Sequence, residues 1–223
     1  MNVISYFQPI PNSSFSEQSK ELLPMWKQTW ENNGWNPIIL NETTAIQSKI
    51  YKSLDFNNPN ANFYSKNPIS SFEYNRSCYL RLLAYCEYVK QNGETLYSDF
   101  DVMNYGLGIN ILKEVVTNSL FCIQRSVVYL DKEGALDIER VLIECNAATE
   151  LEWCHRNDMR LMEYKTKLFT PLVNNGEYIY CCSSYTERDK ITPLVHYNGG
   201  CYLRGAPKNL TRAEIILQHG RIK

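Results

Sequence analysis

The sequence has almost no net charge, because 23 Lys and Arg residues balance 24 Asp and Glu residues to leave a formal charge of −1 at pH 7. A protein that binds DNA or RNA through the phosphate backbone needs a surplus of basic residues to displace counterions. Adhesion to an anionic membrane surface requires the same surplus. The composition therefore argues against both kinds of partner.

Long apolar runs are also missing. No window approaches the roughly 18 apolar residues that cross a bilayer, and the opening MNVISYFQPIPNSS lacks the features of a secretory signal. The eight cysteines include no Cys-x-x-Cys pair, and most lie in apolar runs, where free cysteine behaves as a small hydrophobic residue. We therefore expect a cytoplasmic protein with reduced cysteines and no membrane span.

What the sequence does contain is an alternation of strand and helix patterns. It predicts strands at 2–7 and 36–41 and helices at 16–34 and 42–54. Ser14 or Ser16 can cap the first helix, and Pro24 should kink it or start a second segment. This β-α-β-α order is typical of an α/β sheet with helical crossovers. We expect one α/β domain with a central sheet flanked by helices.

The rest of the chain continues this alternation with some irregular stretches. Residues 55–74 are rich in Asn, Ser and Pro, which predicts a long surface loop that could close over a ligand. Gly93 should end the strong helix that precedes it. The further predicted elements are helices at 75–92, 148–169 and 211–219 and strands at 95–102, 119–130, 139–146 and 177–182, with a turn at 131–135.

Asp99 and Asp101 follow the apolar strand in GETLYSDFDVMNYG. Two carboxylates at i and i+2 of a strand point to the same side and can bind one hard cation. Ligands of open α/β sheets bind at the carboxyl ends of strands, where a divalent ion could neutralise a diphosphate leaving group. Acidic residues also follow many strands as turn formers, so both interpretations stay open at this point.

Asn146 in CNAA and His196 in HYNGG are the next polar candidates. Asn146 is predicted at a strand–helix junction, where its amide could cap the helix or bond a sugar hydroxyl. His196 is either an ordinary histidine or a metal ligand, and Gly199 lets backbone amides approach an anion closely. Arg204 supplies a planar guanidinium suited to phosphate oxygens.

In this order, YLRLLAYCEYVKQNGETLYSDFDVMNYG, CNAA and HYNGG resemble the GT-A glycosyltransferases, especially the glycogenin-like and lipopolysaccharide galactosyltransferase group. That group has an Arg-bearing helix before a Leu-Tyr-x-Asp-x-Asp strand end, then Asn-Ala/Ser-Gly and His-x-x-Gly-x-x-Lys. The resemblance covers residues 76–204. It implies a single GT-A, Rossmann-like domain over 1–223 with a mixed central sheet flanked by helices. The nucleotide-sugar-binding half would lie at 1–101. The half at 102–223 would hold the acceptor and a C-terminal metal and diphosphate segment.

The resemblance also implies an activity, which is transfer of a hexose from a nucleotide-diphosphate sugar to a hydroxyl of a glycan or glycoconjugate. UDP is the favoured nucleotide and GDP the second, and the reaction would retain the anomeric configuration. The implied ligands of Mn²⁺ or Mg²⁺ are Asp99, Asp101 and His196. The other implied roles are Tyr6 for the base, Asp99 for the ribose, Gly199 and Arg204 for the diphosphate, Arg81 for the donor sugar, and Asn146 for donor or acceptor hydroxyls.

Other interpretations remain open from the sequence. An inverting enzyme would need a carboxylate base, for which Glu150 and Asp158 are candidates, although both could equally be exposed helix charges. A catalytically weak nucleotide- or glycan-binding module would use the same residues without turnover. Haloacid-dehalogenase-like phosphatases also carry Asp-x-Asp, but on the first strand rather than near mid-chain. Nucleotidyl transfer is disfavoured because no Gly-rich phosphate loop is present.

Overall fold

The computed structural model describes residues 1–11, 13–57, 71–117, 119–124, 126–147, 177–182, 192–197, 207 and 209–218. The strands in these ranges are β1 Asn2–Tyr6, β2 Asn36–Leu40, β3 Thr95–Ser98, β4 Val102–Asn104, β5 Leu120–Gln124, β6 Val127–Leu130, β7 Ile179–Cys181 and β8 Leu194–His196. The helices are α1 Ser14–Lys20, α2 Leu22–Glu31, α3 Glu42–Ala45, α4 Phe72–Asn92, α5 Ile109–Val115, α6 Lys132–Ala147 and α7 Arg212–Gln218.

The strands form two sheets. The large sheet has the order β2-β1-β3-β6-β5. In it β2, β1 and β3 are parallel, β6 is antiparallel to β3, and β5 is antiparallel to β6. The small sheet has the order β4-β8-β7. Helices lie against both faces of the large sheet. The structure therefore confirms the mixed central sheet flanked by helices that the sequence predicts.

The large sheet separates two hydrophobic cores because successive side chains of its strands alternate between the faces. Ile4 and Tyr97 point to one side, where α4 and α6 cover them. Val3 and Leu96 point to the other side, where α2, α7 and the small sheet cover them. The carboxyl ends of β1, β2 and β3 therefore meet at one edge, between two packed layers.

The first helical segment is broken in two, as the position of Pro24 predicts. α1 ends at Lys20 and α2 begins at Leu22, so that Pro24 falls in the first turn of α2, where its missing N–H costs nothing. The cap of α1 is Ser13, whose side chain accepts a hydrogen bond from the Ser16 amide, and neither Ser14 nor Ser16 has this role.

Three other predicted elements differ in extent. The helix predicted at 42–54 is helical only over α3, which is followed by turns. α4 begins earlier than predicted because Ser71 caps it by accepting from the Tyr74 amide, and it ends at Gly93 with φ of +88°. The single strand predicted at 119–130 is a hairpin of β5 and β6.

The strand predicted at 139–146 is wrong, because this segment belongs to α6. Asp131 starts the helix by accepting hydrogen bonds from the amides of Glu133 and Gly134 at 2.9 and 3.1 Å. Gly134, which indicates a turn in the sequence, lies in the first turn of α6 against the β5–β6 hairpin. A Cβ at Gly134 would lie 2.5 Å from the Ser119 carbonyl oxygen. The glycine therefore permits close packing and does not form a turn.

Two predictions fall on segments outside the described residues. They are most of the loop at 55–74, of which residues 58–70 are not described, and the helix at 148–169. No helix in the described part of the chain is long and apolar enough to cross a membrane.

Candidate metal centre

The acidic motif lies on a turn that joins the two sheets. β3 ends at Ser98 in the large sheet, and β4 begins at Val102 in the small sheet. Between them the Val102 amide donates to the Asp99 carbonyl oxygen at 3.0 Å, which closes the turn. The two carboxylates therefore flank a tight reversal at the carboxyl end of β3. The sequence predicts that the strand ends at the acidic pair, and the structure ends β3 one residue before Asp99.

Three tryptophans hold the backbone around this turn. The indole N–H of Trp30 donates to the Val102 carbonyl oxygen at 3.2 Å, and that of Trp35 donates to the Leu107 carbonyl oxygen at 2.7 Å. Trp26 reaches the Ser98 hydroxyl at 3.4 Å. All three side chains are buried. The acidic turn is therefore fixed by the packing of α2 and the residues after it.

Asp99 is held from the side of α4. Arg81 Nη1 donates to Asp99 Oδ1 at 2.9 Å, and the Tyr97 hydroxyl donates to the same oxygen. Burial raises the pKa of Asp99, the Arg81 guanidinium offsets part of this increase, and the Asp101 carboxylate adds to it. The structure thus brings the predicted residue Arg81 to the acidic turn, in contact with Asp99.

Asp101 is held from the side of the small sheet. β8 pairs with β4 so that His196 lies opposite Val102, which brings His196 Nε2 to 3.3 Å from Asp101 Oδ1. Burial alone would raise the pKa of Asp101, but His196 and Arg212 outweigh it and lower this pKa. Burial alone would lower the pKa of His196, but the Asp101 carboxylate outweighs it and raises this pKa to about 10.

Arg212 is a site residue that the sequence analysis missed. Its Nη2 donates to Asp101 Oδ2 at 3.1 Å, its Nη1 donates to the Ser19 hydroxyl at 2.9 Å, and its side chain is fully buried. One signal could have revealed it. Arg212, Ile215 and Ile216 lie at i, i+3 and i+4 of α7, so the arginine shares the buried face of the helix.

Asp99, Asp101 and His196 form a cluster that can hold a metal ion. One ligand atom from each lies within 4.8 Å of the others. Carboxylate oxygens suit hard cations such as Mg²⁺ and Mn²⁺, and an imidazole nitrogen suits transition metals, so the mixed set can hold a divalent cation. The turn carries both carboxylates and β8 carries the imidazole, so all three ligands sit on backbone that is already fixed.

The carboxyl end of β1 contributes aromatic and polar groups next to the turn. Tyr6 lies there, as the sequence predicts, but its ring is buried in the core at 4% exposure and its hydroxyl donates to Gln8. Burial raises the pKa of the Tyr6 hydroxyl, and the Glu42 carboxylate adds to this increase. The half-buried Phe7 ring packs edge-on against Phe100, with 5.6 Å between centroids. The sequence does not predict that Phe7 and Phe100 pack together beside the acidic turn.

The remaining predicted site residues are Asn146 and four residues that the structure does not describe. Asn146 lies in the last turn of α6 and not at the start of a helix after a strand, which corrects the predicted junction. The other predicted residues lie outside the described residues, namely Glu150, Asp158, Gly199 and Arg204.

The similarity to known proteins is found by comparing structures and not by comparing sequences. No protein-family model matches the sequence, and no curated protein sequence matches it. Among solved structures, the chain is similar to the galactosyltransferase LgtC in complex with donor and acceptor sugar analogs. The TM-score is 0.53 at 12% identity, over 98% of this chain and 95% of that one.

Two further glycosyltransferase structures are similar. One is a glycosyltransferase involved in the glycosylation of the major capsid of PBCV-1, with a TM-score of 0.50 at 13% identity over 88% of this chain and 93% of that one. The other is the bifunctional glycosyltransferase WbbM, with a TM-score of 0.51 at 12% identity over 89% of this chain and 46% of that one. The chain therefore has the GT-A glycosyltransferase fold that its motifs resemble.

Proposed function

We propose that the protein is a metal-dependent glycosyltransferase. It moves a hexose from a nucleotide-diphosphate sugar, with UDP favoured over GDP, to a hydroxyl of a glycan or glycoconjugate, with retention of configuration. The observation that carries the proposal is the Asp99, Asp101 and His196 cluster at the carboxyl end of β3, within a GT-A fold. That edge of the sheet is where α/β folds bind their ligands.

The donor class is supported by chemistry and by one structural neighbour. A hard divalent cation held by carboxylates pairs naturally with the oxygens of a diphosphate. The LgtC structure contains donor and acceptor sugar analogs. A nucleotide sugar as donor is therefore the simplest ligand for a site of this kind.

Each group at the turn then has a role in the proposed reaction. A bound Mn²⁺ or Mg²⁺ would supply Lewis-acid stabilisation to the departing diphosphate. Asp99, Asp101 and His196 hold the cation, and Arg81 orients Asp99 through their 2.9 Å contact. Because the ligands are fixed beforehand by hydrogen bonds and packing, little reorganisation is needed when charge develops.

Other roles are part of the proposal and rest on the sequence resemblance. Gly199 and Arg204 would contact the diphosphate, and Asn146 would contact sugar hydroxyls. A retaining reaction needs no carboxylate base, so Glu150 would act as a base only in an inverting variant of the mechanism.

The test is sugar release or transfer from UDP-hexoses and GDP-hexoses with Mn²⁺ present. We expect Asp101→Asn to lower turnover by on the order of 10²-fold or more, because it removes a cation ligand and leaves the buried Arg212 unbalanced. Asp137→Asn is the matched control, since Asp137 pairs with Arg140 on α6, away from the turn. This control should keep wild-type turnover, and thermal unfolding should verify that both variants fold.

Two results would contradict the proposal. Turnover that persists unchanged in Asp101→Asn would remove the cation site from the reaction. Nucleotide-sugar binding without any turnover, across a broad acceptor panel, would instead identify a binding module with the same fold.

A further inference from the structure

Each carboxylate of the acidic turn already has its own guanidinium partner. Arg81 contacts Asp99 at 2.9 Å, and Arg212 contacts Asp101 at 3.1 Å. All four side chains are at least three-quarters buried, with Arg212 entirely buried. Among the described residues, the negative charge of the turn is therefore balanced by arginine before any cation arrives.

The two arginines change the net charge of the site to which a divalent cation binds. Two carboxylates without cationic partners would neutralise the two charges of the cation. Here it adds two positive charges to a region that two guanidinium groups have already neutralised, in partly buried surroundings where solvent screens poorly. An anion of about two charges that binds beside the cation would restore neutrality, and a diphosphate group carries that charge.

Arg212 is the partner that cannot move away. Its guanidinium is also bonded to the Ser19 hydroxyl at 2.9 Å and to the Tyr197 carbonyl oxygen at 3.4 Å, and its side chain has no exposed surface. Arg81 is 16% exposed. The positive charge behind Asp101 is thus a permanent feature of the site.

We propose that Arg212 makes cation binding depend on the diphosphate, so that the metal and the diphosphate bind as a unit. The inference rests on the proposed function, because it takes Asp99, Asp101 and His196 as the cation ligands. Arg212 acts through Asp101 and touches neither the cation nor the substrate. By thermodynamic reciprocity, the cation raises diphosphate affinity by the same factor as the diphosphate raises cation affinity.

The experiment measures Mn²⁺ binding to the full chain by the electron paramagnetic resonance signal of free Mn²⁺. Mn²⁺ is titrated without a further ligand, with inorganic pyrophosphate and with UDP. Each titration is corrected by the same titration without protein, because both ligands also bind Mn²⁺ in solution. Pyrophosphate carries the charge without a base, so it separates charge balance from base recognition. In the wild type we expect pyrophosphate and UDP each to tighten Mn²⁺ binding by about tenfold or more.

Three variants isolate the charge of Arg212. Arg212→Gln removes the charge, so Mn²⁺ alone should bind about tenfold tighter and the effect of pyrophosphate should shrink by about the same factor. Arg212→Lys keeps the charge but not the planar fork, and should keep most of the coupling. Ser19→Ala removes only the hydroxyl partner, so coupling should match the wild type. Thermal unfolding in chelator verifies that each variant folds.

The outcomes separate this inference from the proposed function. Wild-type Mn²⁺ binding that is equally tight with and without pyrophosphate would overturn the inference while leaving the metal site intact, even if Arg212→Gln did not fold. Coupling that is unchanged in a folded Arg212→Gln protein would also overturn it. Failure of Mn²⁺ to bind under any of the three conditions would overturn the metal site itself.

Discussion

Gly134 has no side chain, and this allows α6 to pack closely against the neighbouring strands. It lies in the first turn of α6, directly against the β5–β6 hairpin. A Cβ there would be 2.5 Å from the Ser119 carbonyl oxygen and 2.7 Å from a Leu130 methyl carbon. The nearer neighbour is backbone, which cannot rotate away. The approach of α6 to the hairpin therefore requires glycine at this position.

We expect Gly134→Ala to lower the free energy of unfolding by about 1–3 kcal/mol, because the added methyl group must push α6 away from the hairpin. Chemical denaturation at neutral pH measures this change. Gly106→Ala is the control, since a Cβ at Gly106 would meet its nearest atom, in Pro193, at 3.8 Å, an ordinary contact. Equal stability of the two alanine variants would show that α6 does not pack this closely.

At the scale of elements, α4 joins the parallel and antiparallel parts of the large sheet. The fully buried Tyr85 hydroxyl lies 2.9 Å from the Thr95 carbonyl oxygen and also contacts the Val128 carbonyl oxygen, and it accepts a hydrogen bond from the Tyr97 amide at 3.1 Å. Burial raises the pKa of Tyr85 well above its usual value, so this hydroxyl stays protonated and able to donate. One side chain thus ties α4 to β3 and β6 where they meet.

Tyr85→Phe should destabilise the protein by about 1–3 kcal/mol, because backbone groups of β3 and β6 lose their partner in a buried position. The matched control is Tyr88→Phe on the same helix. Its hydroxyl is only partly buried and accepts from the Asn2 side chain at 2.9 Å, and solvent can replace that bond. Urea midpoints should fall clearly for the first variant and by much less for the second, and a reversed order would contradict the assignment.

Elements with one dominant local signal could be predicted from the sequence. β1 and β2 have the short apolar runs of ordinary strands. α4 has helical periodicity and a glycine at its end. The sequence predicts a turn followed by a strand where α6 lies. The reason is that Gly134 is needed for a tertiary contact, and that the apolar run of α6 is as typical of a strand as of a helix. The cap that Asp131 forms was the local signal that pointed to a helix.

The candidate site was predictable only where its residues share a short motif. Only Phe100 separates Asp99 and Asp101 in the sequence, and the family resemblance adds His196. Arg212 could not be inferred as an Asp101 partner, because 111 residues separate the two and only the packing of α7 brings them together. Residue type and periodicity can predict that an arginine lies on the buried face of a helix, but they do not predict which carboxylate it contacts.

At the scale of the whole molecule, the candidate metal centre bridges the two sheets. Asp99 directly follows β3 of the large sheet and contacts Arg81 of α4, and Asp101 directly precedes β4 of the small sheet and contacts Arg212 of α7. His196 comes from β8 of the small sheet. A cation bound by these ligands would connect two layers that otherwise meet through the turn and through packing.

Mn²⁺ together with UDP should therefore raise the unfolding temperature of the whole chain. At a concentration 100-fold above the dissociation constant the stabilisation is about 2.7 kcal/mol, or about 5–10 °C for a protein of this size. Excess chelator should reverse the shift, as differential scanning fluorimetry can measure. Asp101→Asn should lose the shift while Asp137→Asn keeps it, and an equal shift in both would mean that the cation binds elsewhere.

The contact between Arg212 and Ser19 spans 193 residues, which sets the order in which the protein can mature during its synthesis. The five strands of the large sheet all lie within residues 2–130, so they leave the ribosome before β8 and α7. The acidic turn is made early, but Asp101 gains His196 and Arg212 as partners only when β8 and α7 dock. A nascent chain could thus build its scaffold without yet having a site that discriminates between a bare ion and an ion with its diphosphate.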